Sequence, residues 1–597
     1  MAYSMCLNAL DSVRRCNPSA LLPSKKPDAH VTKGNRDVPR PFKTMALANN
    51  SSDSTIVRRS GNFHPTIWPD DYIQSLKSDY VAESYTKKIE NLKGEVTEMF
   101  HKMVDPLNQV ENIDILQRLG ISYHFEDEIR RMLDKIHKTH YGGDVCKEQR
   151  LYATALEFRL LRQKKYHVPQ DIFKSFTNER GNFKECLYDD VEGMLALYEA
   201  SFLLIEGESI LEEARDFTTK HLKDYVEKST DQNLCAMVNH ALEFPLHWRV
   251  KRLEARWFID IYRSREDMDP ILLQLAELDF NVVQAVHQED LKVVSRWWKS
   301  TGLGELSFVR DRVVENFLWT VGVSFEPQFG FVRRMLAKLG ALITIIDDAY
   351  DVYGTLEELE LFTEVVERWD VNAMEKLPYY MQLSFLNLYN SVNELALDTL
   401  KEKGFNIIHY LKKGWADLCR AYLMEAKWYY SGYTPSLQEY IEIEWLSISS
   451  PLLLVHSYFS VTNPITKESL DLLEDYPNII RWQGMIVRLV DDLGTSKDEF
   501  ERGDNPKSIQ CYMNDTGASE EDAREYIWNL ISATWKKYNE ELAASSPFCE
   551  AFIQIGLNFA RMSQCMYQYG DGHSVEHHES KDRVLKLLIH PIPLSKD

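Results

Sequence analysis

Glycine and proline are scarce, at 25 and 21 of 597 residues, each below the usual ~7% and ~5%. Few tight turns are available, which disfavours a fold of many short strands. The nine cysteines (Cys6, Cys16, Cys146, Cys186, Cys235, Cys419, Cys511, Cys549, Cys565) are odd in number and scattered, with no CxxC and no zinc spacing. Reduced thiols in a non-secretory compartment are expected, not a disulfide framework. Long apolar runs are missing too: the longest stretches, Ala341 to Ile346 and Pro451 to Val455, fall far short of the ~18 residues of a membrane span. Positive charge is in deficit, 69 Lys+Arg against 91 Asp+Glu, for a net charge of −22. Such a body repels a nucleic-acid backbone, so no nucleic-acid partner is expected. Any anionic substrate must be gripped by local cations working against that field.

What the chain does contain is apolar bulk, 44% hydrophobic and 12% aromatic. That suffices for two packed cores, the default at this length. Apolar residues recur at helical spacing, as in Ile115 with Leu119 and Ile121 with Phe125, so an all-α fold is expected. A second helical array begins near Pro270, which divides the chain into 56–270 and 271–597. No repeat of 20 to 50 residues points to a solenoid. Residues 1–50 carry eight basic residues against three Asp, and no Glu occurs before Glu83. A basic leader without an apolar core reads as an organelle transit peptide and linker over 1–55, with a plain tail as the alternative.

The sharpest chemical feature is Asp347-Asp348-Ala349-Tyr350-Asp351 at the end of an apolar stretch. On a helix Asp347 and Asp351 share a face, with Thr344 and Gly340 one and two turns behind, while Asp348 points about 100° away. Downstream, Asp491, Thr495 and Glu499 are spaced by four and four, and Arg488 lies three before the first. A solvated acidic face is the alternative for either segment alone. Apolar flanks count against it, because buried carboxylates without cations cost several kcal/mol. Oxygen ligands of this kind suit Mg²⁺, which takes one or two carboxylates and completes its shell with water and phosphate. Arg310 and Arg312 precede a helix on which Trp319 follows Arg312 by two turns, and Lys507 follows the Gly503 to Pro506 loop. Arg suits phosphate, and an indole face suits a cation.

These paired acidic motifs, with Arg58-Arg59, eight residues and then Trp68, resemble those of a plant class I terpene synthase of the monoterpene-forming angiosperm type. The resemblance runs from about residue 56 to 595 and includes Phe158 to Gln163, Leu197 to Ser201, Pro245 to Arg249, Arg296 to Lys299 and Tyr567 to Gly572. It implies an all-α protein in which an N-terminal helical domain precedes a C-terminal α-helical bundle enclosing the site. It also implies three Mg²⁺, with Mn²⁺ as a substitute: Asp347 and Asp351 hold two, and Asp491, Thr495 and Glu499 the third. Asp348 is given a supporting electrostatic role. Arg310, Arg488 and Lys507 grip the diphosphate of geranyl diphosphate, with Arg312 nearby. Arg58, Arg59 and Trp68 cap the mouth and assist isomerisation, while Trp319 and Tyr567 hold the allylic cation, which is quenched by proton loss or water. The expected product is a ten-carbon terpene made by a monomer in the plastid stroma. A farnesyl-diphosphate (sesquiterpene) synthase, an isoprene-forming relative and a non-catalytic helical scaffold are the alternatives. Gly340 stands where many members of the family carry Asn, which removes one candidate for positioning water and counts against a water-captured product such as cineole.

Overall fold

The computed structural model describes residues 56, 58–141, 150–573 and 578–595. The leader over 1–55 lies outside the described residues. Arg58–Asp597 forms one compact unit, and among the described residues it is helical, with a single isolated bridge between Thr177 and Phe183 as its only β pairing. The scarcity of Gly and Pro is thus met by long helices and short connections.

The first array runs from Asp70–Ser75 to Lys251–Arg263. Two of its helices, α1 (Val191–Ser201) and α2 (Lys251–Arg263), meet at a buried charge cluster. Arg249 lies between Glu199 of α1 (3.0 Å) and Glu254 of α2 (2.9 Å). Arg118 donates to the same Glu254 at 2.9 Å. The guanidinium of Arg249 leaves little charge unopposed in a region that water does not reach, which is how an apolar array tolerates two carboxylates. Arg249 belongs to the segment Pro245 to Arg249, whose other side chains reach the second array. His247 Nε2 and Asn539 Oδ1 are 2.8 Å apart, and Trp248 stacks on Trp535 with centroids 5.3 Å apart.

The second array opens with α3 (Pro270–Thr301), the longest helix at 32 residues. Its start is written in the sequence: Pro270 occupies the first turn, and the Asp269 carboxylate accepts from the Ile271 and Leu272 N–H groups at 2.8 and 3.1 Å. This is the residue pair that offsets the orphan donors of a helix N-terminus. α4 (Val313–Val323) and α5 (Gly330–Asp348) pack against α3, and the array continues with α6 (Leu356–Arg368), α7 (Ile408–Ser431), α8 (Leu437–Ser447), α9 (Ser450–Val461), α10 (Asn478–Arg502), α11 (Glu520–Ala543) and α12 (Glu550–Met566). No helix is long and apolar enough to cross a membrane among the described residues. Helices α4, α5, α7, α9, α10 and α12 enclose a deep cleft.

Arg249→Met leaves buried Glu199 without its ion-pair partner and Glu254 with Arg118 as its remaining arginine, while roughly keeping volume. It should cost about 3–5 kcal/mol, read as a fall in the midpoint of urea unfolding. A change below about 1 kcal/mol would show that the cluster does not hold the first array together.

Candidate active site

The cleft is lined by both acidic segments at once and encloses about 1300 Å³ counted to its open mouth. Helix α5 carries Gly340, Thr344, Asp347 and Asp348 into or beside it, and α10 carries Arg488, Asp491, Thr495 and Glu499 from the opposite side. The face drawn from four-residue spacing on α10 is therefore the face observed. On α5 the local structure differs in one respect. The α-helix ends at Asp348 and continues as a π turn over Ala349–Tyr353, so Asp351 is not at a plain helical step from Asp347, yet both line the cleft.

Charges are placed so that each acidic segment has its own arginine. The Arg310 side chain pairs with Asp347, its Nε lies 2.8 Å from Asp348 Oδ1, and its backbone N–H donates to Asp348 Oδ2 at 3.1 Å. Asp348, 1% exposed, is turned into this pair and away from Asp347's face, as the 100° step requires. Arg488 pairs with Asp491 and donates from Nε to Asp492 at 2.8 Å. Asp492, which the sequence reading left aside, also accepts from the Tyr440 hydroxyl at 2.9 Å and the Ser508 N–H at 3.2 Å. That makes it the anchor of α10 rather than a cleft-lining group. Lys507 reaches the cleft next to Glu425, 3.5 Å away.

Burial disfavours the charged forms of the remaining acids. It pushes Asp348 up to about 7, despite Arg310. It raises Asp351, helped by the Asp347 charge, and it raises Asp491 and Glu499 as well. Glu499 Oε2 is buried with no hydrogen-bond partner. An acid set that is dehydrated, crowded with like charges and missing a partner is suited to a hard divalent cation. Among the described residues no three His, Cys, Asp or Glu groups converge into a closed cation cage, and Mg²⁺ typically shares its shell with substrate phosphate and water.

Below the charged rim the wall becomes aromatic. Trp319 of α4 and Tyr567 lie 6.1 Å apart by centroids, with Phe559 of α12 6.5 Å from the indole. Tyr567 approaches α10 at Gly494, where an added Cβ would sit 2.7 Å from the tyrosine Cβ and 2.8 Å from its carbonyl oxygen. Only glycine admits so close an approach, which places the phenol beside Asp491; burial and the charges of Asp491 and Asp571 push its pKa well up, so the phenol keeps its proton.

The chain entering from residue 58 closes one side of the mouth. Arg58 grips Glu358 of α6 with two nitrogens at 2.8 Å each and donates to the Tyr353 carbonyl at 2.9 Å. Arg59 donates to the Asp351 carbonyl at 2.9 Å and to Asp504 at 3.1 Å, with its guanidinium 4.4 Å over the Tyr429 ring. Phe63 lines the cleft under Arg310, at 4.8 Å from its guanidinium. Arg312 donates to the His64 carbonyl at 3.0 Å and does not line the cleft, so it holds the strap. Trp68 is buried in a separate pocket with Trp298 and Val313. Groups that sequence reasoning missed include Phe63, Asn316, Glu425, Asp504, Asp571 and His573, all on the cleft wall.

Two helical arrays, the second of which encloses a cleft with acids on facing helices, give an all-helical protein with a candidate metal-binding site. Residues 67–242 match the family described as "Terpene synthase, N-terminal domain", and 299–537 match "Terpene synthase family, metal binding domain". The chain belongs to the terpene synthase family. It is 63% identical to a chloroplastic myrcene synthase of Quercus ilex over 99% of this chain and 100% of that one. It is 59% identical to a (−)-alpha-terpineol synthase of Vitis vinifera over 99% of each. Among solved structures it resembles a limonene synthase with 2-fluorolinalyl diphosphate (TM-score 0.88, 47% identity, 90% of this chain and all of that one). It also resembles the isoprene synthase of grey poplar, Populus x canescens, in complex with three Mg²⁺ ions and dimethylallyl-S-thiolodiphosphate (TM-score 0.81, 46% identity, 89% of this chain and all of that one).

Glu358→Gln should loosen the strap, since the bidentate ion pair with Arg58 is lost. Limited trypsin digestion followed by mass spectrometry should show cleavage at Arg58 and Arg59 accelerated roughly tenfold, the consequence of removing about 1.5 kcal/mol of charge-assisted bonding. An unchanged rate would show that Glu358 does not hold the strap.

Proposed function

We propose that this protein is a monoterpene synthase, ionising geranyl diphosphate with loss of diphosphate to give a ten-carbon terpene. The observation that carries this reading is the polarity gradient of one cleft, from paired acids with Arg310, Arg488, Arg502 and Lys507 at the rim to Trp319, Phe559 and Tyr567 below. A diphosphate fits the rim and a hydrocarbon tail the aromatic floor. The relatives named as chloroplastic myrcene, gamma-terpinene and limonene synthases support the ten-carbon substrate and a plastid location.

Asp347 and Asp351 on one side, with Asp491, Thr495 and Glu499 on the other, would hold Mg²⁺, or Mn²⁺ as a substitute. Bound there, the metal supplies Lewis-acid neutralisation of the diphosphate charge as the carbon–oxygen bond breaks. The chain's own groups do the rest. Arg310, Arg488 and Lys507 donate to the departing diphosphate and do not have to move far, because their present partners flank the same cleft. Asp348 stays paired with Arg310 and orients it. Trp319 and Tyr567 present π faces to the allylic cation, worth about 0.5 to 2 kcal/mol each in a dry site. Phe63 and the strap exclude water. Arg58, Arg59, Arg312 and Trp68 act by holding that strap closed, so their part in isomerisation is positional. In this reading 271–597 is the catalytic domain, and 56–270 supports it and supplies the strap.

The decisive assay uses protein truncated before Arg58, with Mg²⁺, and geranyl or farnesyl diphosphate supplied separately, the volatiles being identified by gas chromatography and mass spectrometry. Ten-carbon products from geranyl diphosphate are expected. Turnover of farnesyl diphosphate alone would move the protein to fifteen-carbon chemistry, and inactivity with both would defeat the enzymatic reading. Asp347→Asn should lower kcat by at least about 100-fold with little change in Tm. Near-normal turnover would remove that helix from the metal site. Arg58→Ala with Arg59→Ala should suppress cyclic products more than acyclic ones, and linalyl diphosphate should restore cyclisation. An unchanged product ratio would count against the positional role of the strap.

A further inference from the structure

Halfway down the cleft, between the charged rim and the aromatic floor, the wall carries one small polar cluster that the proposed mechanism does not use. Asn316 projects from α4 toward Gly340 on α5 so closely that a Cβ at 340 would lie 2.8 Å from Asn316 Oδ1 and 3.2 Å from its amide carbon. The missing side chain at 340 is therefore occupied space: the amide comes from the neighbouring helix. Gly340 itself offers no side chain for positioning water, and the amide at this part of the wall belongs to α4.

The hydrogen bonds run in one direction. The Thr344 hydroxyl donates to the Gly340 carbonyl at 2.9 Å, so its oxygen is the acceptor for Asn316 Nδ2 at 3.4 Å. With Nδ2 committed to Thr344, Asn316 turns Oδ1 toward His573 Nε2, 3.2 Å away. A carbonyl oxygen only accepts, so Nε2 carries the hydrogen, and the lone pair of the neutral ring is left on Nδ1. The ring is neutral because burial and the nearby Arg310 charge pull its basicity well down. Asn316, Gly340, Thr344 and His573 all line the cleft.

We infer that Asn316 is a positioning residue for the proposed reaction: it fills the volume left at position 340 and fixes the tautomer of His573, thereby determining the polar face that this wall presents to the reacting hydrocarbon and the partition among products. The inference rests on the reading of the cleft as a prenyl-diphosphate site. It requires two separable behaviours. Positions 316 and 340 compete for one volume, so a side chain at 340 is costly only while Asn316 is present. The amide, wherever it originates, keeps the product spectrum, since an Asn at 340 would place its own amide where that of Asn316 now sits.

The test compares wild type, Asn316→Ala, Gly340→Ala, Gly340→Asn, and the doubles Asn316→Ala/Gly340→Ala and Asn316→Ala/Gly340→Asn. The readouts are Tm, diphosphate release from geranyl diphosphate with Mg²⁺, and volatile product ratios. Gly340→Ala should lower Tm in the wild-type background and not in the Asn316→Ala background. Asn316→Ala should keep diphosphate release within about threefold of wild type, since it leaves the acids and arginines in place, while changing the ratio of major products by at least about threefold. Asn316→Ala/Gly340→Asn should return the ratio toward wild type, which a merely structural role for Asn316 would not produce; Gly340→Asn alone should be the least stable variant. Turnover of geranyl diphosphate with an unchanged spectrum in Asn316→Ala overturns this inference and leaves the function intact, as does an equal Tm penalty for Gly340→Ala in both backgrounds. Failure of wild type to turn over any prenyl diphosphate defeats the functional reading, and this inference with it.

Discussion

The structure depends on how carboxylates are kept ionisable inside an apolar helical bundle. Each acidic segment meets an arginine: Arg310, from the segment before α4, for Asp347 and Asp348, and Arg488, on α10 itself, for Asp491 and Asp492. The pairing is incomplete by design of the geometry. Asp348 and Asp492 are buried to 1% and 0% and tied by several bonds. Asp351 and Glu499, lying on the cleft side, are raised by burial and by neighbouring charge. One carboxylate of each motif thus fixes the helix, and others remain under-compensated at the surface of the cleft. A dehydrated charge without a full set of partners is costly, and in the proposed function that cost is recovered when a divalent cation and an anion arrive together. The negative body of the protein, which on its own repels a diphosphate, then becomes a reason for such a substrate to bind with metal.

The same economy explains the strap. Arg59 bonds to the backbone carbonyl of Asp351, and Arg58 to that of Tyr353, so the residues that close the mouth are attached to the very turn that carries the acid. The turn is a π turn over Ala349–Tyr353, a local irregularity of the sort often found at functional positions. Its carbonyls face outward to the arginines while Asp351 faces the cleft. Movement of the strap and movement of this acid are mechanically linked through two hydrogen bonds and the Glu358 ion pair. No long-range pathway is needed to couple closure to the rim charges.

Much of this was legible in the sequence, and the boundary of legibility is physical. The all-α fold followed from three- and four-residue apolar spacing and the shortage of turn formers. The face shared by Asp491, Thr495 and Glu499 followed from helical periodicity alone, because all three lie within one uninterrupted helix. The start of α3 was marked by Asp269 and Pro270. What the sequence did not disclose are relations between helices. Arg58 meets Glu358 across 300 positions, and His573 meets Asn316 across 257; no local pattern encodes either pair. Periodicity placed Gly340 on the cleft face, but it said nothing of what the facing helix contributes. The resemblance placed Arg312 near the diphosphate, whereas in the structure it is buried just before α4 and donates to the His64 carbonyl, a contact between segments that no local pattern encodes.

The separation of rim from wall has a consequence for how such a cleft diversifies. Ionisation depends on groups whose charges are interlocked: altering Asp491 disturbs Arg488, and through it Asp492 and the anchor to Tyr440. Substitutions there are expensive in stability and turnover alike. The wall is different. Asn316, Thr344 and His573 form a short neutral chain that feels the charges of Arg310, Asp571 and Arg312 and bonds to Asp571 through the His573 backbone N–H, so a change of one side chain alters local shape and hydrogen-bond direction without breaking an ion pair. Differences of about 1.4 kcal/mol between competing exits of a cation alter product ratios tenfold, an amount within reach of one neutral hydrogen bond and a methyl-sized volume. Relatives with 52 to 63% identity are named for myrcene, terpineol, terpinene and limonene, as expected if product choice resides in a neutral wall that tolerates change, while the interlocked rim does not.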